Sequence, residues 1–171
     1  MKSHTISVLV ENKFGVLARI SGLFSGRGFN IDSLTVSPTN DETLSRMTIV
    51  THGDDAVLEQ IEKQLNRLVE VVKVTDLTGS GYVSRELMLV KVKTNGSGMG
   101  EVIQMATVFK GNVVNVEPDS LVIEITGPTE KCDAFVELMR NFGIIELART
   151  GRVALSRSSQ TTEMLDQSND E

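Results

Sequence analysis

Apolar and polar positions along the chain switch between a period of two and a period near 3.6, and the order of the switches predicts a fold. Over residues 4–10, Ile6, Val8 and Val10 fall on one face and Thr5, Ser7 and Leu9 on the other, as in a strand. Residues 16–27 carry Leu17, Ile20, Leu23 and Phe24 at helical spacing, and Gly26 and Gly28 close that helix. Strand pattern returns over 30–37, with Ile31, Leu34 and Val36. After a turn at 38–41 it returns again over 44–51. Val57, Leu58, Ile61, Leu65 and Leu68 make one apolar stripe behind Asp54, a fitting N-cap, and a Val-rich strand follows over 69–75. The order β-α-β-β-α-β predicts an α+β domain: a four-stranded antiparallel sheet with both helices on one face.

After a polar, glycine-rich stretch at 78–84 the pattern starts again. It predicts strand 86–93, helix 99–109, strands 112–117 and 120–126, helix 129–141 and strand 144–150. Pro128 suits the start of the last helix and Gly143 its end. The residues repeat too. Gly15 to Phe24 aligns without gaps on Gly100 to Phe109, and Gly26, Asn30 and Ile31 find Gly111, Asn115 and Val116 at the same offset. Ser97 stands where Asn12 aligns. A duplicated unit is the reading: a first domain at 1–77, a linker at 78–84, a second domain at 85–157. The polar stretch from 156 onward predicts a disordered tail, placed at 158–171. Each unit is small for an independent core, and the sheet face away from the helices needs cover, so association with another copy is expected. Leu9, Leu34 and Met47 are the apolar candidates for that outward face.

Composition narrows the function. A formal net charge of −6, with Lys and Arg scattered, disfavours nucleic acid and anionic membrane as partners. The same strand order builds RNA-binding sheets, but those stack bases on aromatic residues, and strands 4–10 and 44–51 have none. The short N-terminal apolar stretch breaks at Glu11, Asn12 and Lys13, unlike a signal peptide, and no run is long enough to cross a membrane. The cytoplasm is the default compartment. The single cysteine, Cys132, lies on the apolar side of a helix and reads as a small buried hydrophobe. His4 and His52 have no ligand spacing around them, so no metal site is expected. Asp54 and Asp55 read as a helix start, and Glu59 and Glu62 as a solvated helix face. Gly96, Gly98 and Gly100 are mis-spaced for a dinucleotide fingerprint. No catalytic set stands out, and strands 86–93 and 144–150 show nothing beyond strands.

Chemistry concentrates at the two ends of the first helix. Asn12 ends the first strand, Gly15 permits a tight turn, and the amides of residues 15–18 open a helix, where a carboxylate is well received. Asn12 and Asn30 each offer a donor and an acceptor, and Val16, Leu17 and Ile31 can line a small apolar pocket. Such a set suits a zwitterion that is sensed, not transformed. Ordinary turn architecture accounts for the same residues.

The run from Ser7 to Asn12, followed by Phe14-Gly15-Val16-Leu17, resembles the ligand-binding opening of an ACT domain. Gly28 to Thr35, Leu44 to Thr48, Arg85 to Lys91 and Glu146 to Gly151 resemble the regulatory small subunit of acetolactate synthase, a likeness covering residues 4–157. The resemblance implies two tandem ACT-type, ferredoxin-like domains, a homodimer, and a larger catalytic partner subunit that carries thiamine diphosphate, Mg2+ and FAD. It implies that this chain is non-catalytic, binds none of those cofactors, activates the partner and confers feedback inhibition by valine. The implied valine contacts are Asn12, Gly15, Val16 and Leu17 of one chain and Asn30 and Ile31 of its neighbour. A stand-alone ACT-domain amino-acid sensor is the alternative. The second half departs from the family pattern around 95–104, where glycines replace an Arg-rich helix start, and reads as structural or partner-facing.

Overall fold

A computed structural model describes residues 2–79, 81–94 and 98–158. The chain forms two compact units. One runs to Val83 and resumes at Ala154; the other is Ser84–Val153. Each is an antiparallel sheet with two helices on one face, so the fold is two tandem ACT-type βαββαβ units.

The first unit comprises β1 (Lys2–Glu11), α1 (Val16–Ser25), β2 (Ser33–Pro38), β3 (Leu44–Gly53), α2 (Asp55–Leu65) and β4 (Val71–Asp76), with sheet order β2-β3-β1-β4. Its core lies between sheet and helices: Ile6, Val8 and Val10 of β1 and Met47 and Ile49 of β3 face Ile20, Phe24, Ile61 and Leu65. Residues paired across strands share a face, and Val8 pairs with Met47, Ile6 with Ile49, and Leu34 with Ile49. Met47 and Leu34 therefore face the helices. Of the three expected outward residues only Leu9 is on the other side. That second face is not bare. Thr5, Ser7, Leu9, Thr48 and Val50 are all buried, and Ala154 lies against it, its amide donating to Thr48 Oγ1 at 3.4 Å.

Ala154 belongs to β9 (Val153–Ser156), a strand absent from the sequence reading. It pairs with β5 (Tyr82–Lys93), which starts inside the expected linker because Tyr82 and Val83 are good strand formers once a partner exists. Of the expected tail, 159–171 lie outside the described residues, as do Gly96 and Ser97.

α2 is where local sequence rules agree best. Asp54 Oδ1 accepts from Val57 N at 2.9 Å, Lys63 pairs with Glu59 at 2.5 Å, and Leu58, Ile61 and Leu65 are buried. Asp54→Ala is expected to cost about 1 kcal/mol, read as a small shift of the urea midpoint at constant m; no shift would mean that the cap is dispensable.

The second unit continues with α3 (Met99–Val108), β6 (Asn112–Glu117), β7 (Ser120–Gly127), α4 (Thr129–Met139) and β8 (Ile144–Arg149), in sheet order β6-β7-β5-β8. Its core joins Met88, Val90, Val92, Ile123 and Ile125 to Val102, Phe135 and Met139. The repeat does not keep its sequence register past the helix. Asn30 precedes β2, whereas its aligned partner Asn115 sits inside β6. The reason is a shorter helix exit. Lys110 takes φ 52°, Gly111 N donates to Ala106 O at 2.8 Å, and β6 begins at the next residue. Gly111 is held there by close approach, since a Cβ would come within 2.3 Å of Ile125 Cδ1 and 2.9 Å of Glu124 O. β6 also bulges between Val113 and Asn115.

Candidate functional site

The β1–α1 turn is built from both sides. Asn12 N donates to Thr43 O at 2.7 Å and Asn12 Nδ2 to Glu42 O at 2.9 Å, so the residue after β1 is clamped to the turn before β3. That turn is stiffened by Asp41, whose Oδ1 accepts from Thr43 Oγ1 (2.6 Å) and Thr43 N (2.9 Å). The two bonds hold the Asp41 carboxyl below the usual carboxylate range. Gly15 follows with φ 84°, a left-handed conformation that L side chains rarely adopt. The first intrahelical bond of α1 runs from Arg19 N to Gly15 O (3.0 Å). The amides of Val16, Leu17 and Ala18 precede it, and Val16 N makes only a 3.5 Å contact with Lys13 O.

The side chains divide differently from the expected stripe. Val16 is 4% exposed and belongs to the core, so its amide is what it can present. Leu17 is 42% exposed and points away. Phe14, absent from the expected contacts, is fully exposed beside Gly15. Nearby cations already have partners: Lys13 pairs with Glu11 at 2.8 Å and Arg19 with Glu70 at 2.5 Å. The turn thus offers amide donors, the Asn12 carbonyl and apolar surface.

Asn30 and Ile31 lie past the other end of α1. Gly28 takes φ 71°, and Phe29 N returns to Phe24 O at 3.0 Å. Three consecutive β3 residues then hold the exposed segment. Val50 O accepts from Asp32 N (2.8 Å), Thr51 Oγ1 donates to Asn30 O (2.6 Å), and His52 Nδ1 contacts Asp32 Oδ2. Asn30 Nδ2 donates to Asp32 Oδ1 at 2.8 Å, and Ile31 packs partly against the core. One chain does not bring the two halves together, because the ten residues of α1 separate them by about 15 Å. Asp32 lies within the Gly28–Thr35 segment but carried no role there, and only the fold places His52 beside it.

Elsewhere the expected roles sort plainly. Cys132 is buried, and burial followed by the Glu86 carboxylate pushes its thiol up to about 11. His4 is buried, with Nε2 3.3 Å from Gly53 O. Asp55 pairs with Lys2 at 3.5 Å. Burial, then the charges of Asp76 and Glu59, raises the Glu62 carboxyl, so this residue is not a purely solvated one. Among the described residues no group of three or more His, Cys, Asp or Glu is placed to hold a metal, and no helix is long and apolar enough to cross a membrane. The strands without expected chemistry hold an ion pair with a buried carboxylate. Glu86 of β5 accepts from Arg149 of β8, whose Nη1 also donates to Asp133 Oδ1 at 2.6 Å.

Comparison with known proteins agrees with this architecture. Residues 6–73 match the family model described as the AHAS small subunit-like ACT domain, and residues 85–158 that of the small subunit of acetolactate synthase. A protein of Methanothermobacter thermautotrophicus named "Probable acetolactate synthase small subunit" is 54% identical over 160 residues, covering 93% of this chain and 95% of that one. The acetolactate synthase isozyme 3 small subunit of Escherichia coli is 49% identical over 156 residues, covering 91% and 96%. The crystal structure of an acetolactate synthase small subunit from Thermotoga maritima superposes with a TM-score of 0.84 at 42% identity, covering 92% of this chain and 99% of that one.

Proposed function

Because the chain belongs to the family of acetolactate synthase small regulatory subunits, we propose that it activates a catalytic acetolactate synthase subunit and subjects it to feedback inhibition by L-valine. The chemistry, with thiamine diphosphate, Mg2+ and FAD, belongs to the partner subunit. Valine lies between two copies of the first unit. One copy supplies Asn12, Gly15, Val16 and Leu17, and the other supplies Asn30 and Ile31.

The separation of the two half-sites along α1 carries this reading. A five-carbon amino acid cannot touch both ends of a ten-residue helix, so a ligand using both asparagines needs two chains. The polarity also suits. The α1 amides receive the carboxylate, and Leu17 and Phe14 supply apolar surface. Each asparagine has an NH2 proton spent within its own chain, on Glu42 O or Asp32 Oδ1, which turns its carbonyl toward an ammonium. A ligand bridging two chains stabilises one dimer arrangement by linkage, and that arrangement favours a less active catalytic subunit.

Calorimetric titration of the full chain, alone and with its catalytic subunit, tests the site. L-valine is expected to bind saturably, and Asn12→Ala to weaken it roughly 10- to 100-fold, the worth of a hydrogen bond to a charged group. Unchanged affinity would remove Asn12 from the site. Intact binding without activation of the catalytic subunit would instead favour a sensor acting on another protein.

A further inference from the structure

We propose that Asp32, backed by His52, is a positioning residue of the effector site: it turns the Asn30 carbonyl oxygen toward the ligand and so makes this half-site select an ammonium group. The assignment rests on the reading of Asn30 as an effector contact. An asparagine amide can present either end, and an exposed one rotates between them. Asn30 is exposed, yet it is fixed at both backbone and side chain. Thr51 Oγ1 holds its backbone carbonyl at 2.6 Å, and Asp32 Oδ1 takes its Nδ2 at 2.8 Å. A carboxylate only accepts, so it draws the NH2 end toward itself and leaves Oδ1 on the far side. Asp32 is fixed in turn: its amide is bound to Val50 O at 2.8 Å, and its second oxygen meets His52 Nδ1. The sequence thus runs Asn30-Asp32 against Thr51-His52, with β3 as the rigid backing. Asp32 and His52 border an open groove of about 780 Å3 that also presents Lys2, Arg27, Asp54 and Asp55. Asp55 is already paired with Lys2, Asp54 caps α2, and Arg27 donates to Gln64 Oε1 at 2.9 Å. Asp32 is thus the acidic group left facing Asn30.

The test compares L-valine with its hydroxy analogue, (S)-2-hydroxyisovalerate, on the full chain with its catalytic subunit. The parent protein is expected to prefer valine strongly. Asp32→Ala is expected to reduce that preference by roughly tenfold, one hydrogen bond to a charged group. Asp32→Asn keeps an acceptor for Asn30 but can also donate, so it is expected to restore only part of the preference. His52→Ala falls between. An Asp32→Ala protein that loses affinity for both compounds equally, or for neither, overturns the positioning role. If the parent protein binds no valine, the effector reading itself fails and this assignment with it.

Discussion

Gly15→Asp is expected to abolish the valine response while sparing activation of the catalytic subunit. The cause is not bulk within the chain, since a Cβ at Gly15 meets no atom within 4 Å. Two other effects remain. The φ of 84° costs an L residue roughly 1–2 kcal/mol, less for Asp or Asn, whose short polar side chains visit this region. The larger effect is charge. A carboxylate at the head of α1 lies where the ligand carboxylate is received, and two like charges 4 Å apart repel by about 4 kcal/mol at a surface-like dielectric. That is on the order of a thousandfold in affinity. The helix itself is not harmed, because an anion at a helix start is favourable. Gly15→Asn has the same shape without the charge and is the control. Valine inhibition curves on the reconstituted enzyme should show a far greater loss for Asp than for Asn. Equal losses would assign the effect to bulk at the chain-chain contact, and an unchanged response would move the site elsewhere.

Much of this site was legible in sequence, but not its faces. The motif residues Asn12, Gly15 and Asn30 are turn and cap residues, and local rules find those. Which of Val16 and Leu17 enters the core depends on the phase of the helix, and one residue is 100° of rotation. The stripe put Leu17 inside; the structure buries Val16 and leaves Leu17 outside with Phe14. Sheet faces failed for a related reason. Met47 and Leu34 were read as outward because strand alternation fixes two faces without saying which is which, and only the pairing register assigns them. β9 escaped notice because four residues gain strand character from a partner distant in sequence. α2, by contrast, has the expected cap at Asp54 and buries Leu58, Ile61 and Leu65 of the expected stripe, since both signals are local, while Leu68 lies past its end. The Asp32–His52 contact spans 20 residues and the Glu86–Arg149 pair 63, so neither has a local signature.

That second pair has the larger consequence for stability. Arg85 to Lys91 and Glu146 to Gly151 are among the segments that carry the family likeness, and the structure joins them: Leu87 N donates to Thr150 Oγ1 at 3.1 Å and Thr150 N to Leu87 O at 3.0 Å. At this seam Glu86 is 5% exposed, with Arg149 Nε 2.7 Å from its Oε1 and Thr129 Oγ1 3.3 Å from Oε2. Arg149→Met removes the cation bonded to the buried carboxylate and leaves it Thr129, whose hydroxyl also accepts from Arg152 Nη2 at 3.2 Å. Breaking a fully buried pair from one side costs about 3–5 kcal/mol, and with the Arg149 side chain 28% exposed roughly 2–3 kcal/mol is expected here, whereas replacing both members with apolar groups is often close to neutral. Arg149→Met is therefore expected to lower the melting temperature of the Ser84–Val153 unit by roughly 10–20 °C. The double variant with Glu86→Leu should recover most of that. Differential scanning calorimetry of the four proteins of this cycle measures the coupling directly. A single variant that melts with the parent would make the ion pair incidental. A double variant worse than the single would show that the carboxylate serves Thr129 or Cys132 more than Arg149. The expected pattern, a large single loss and a rescued double, would make Glu86 and Arg149 the clasp that holds β8 to β5 and α4 over their seam.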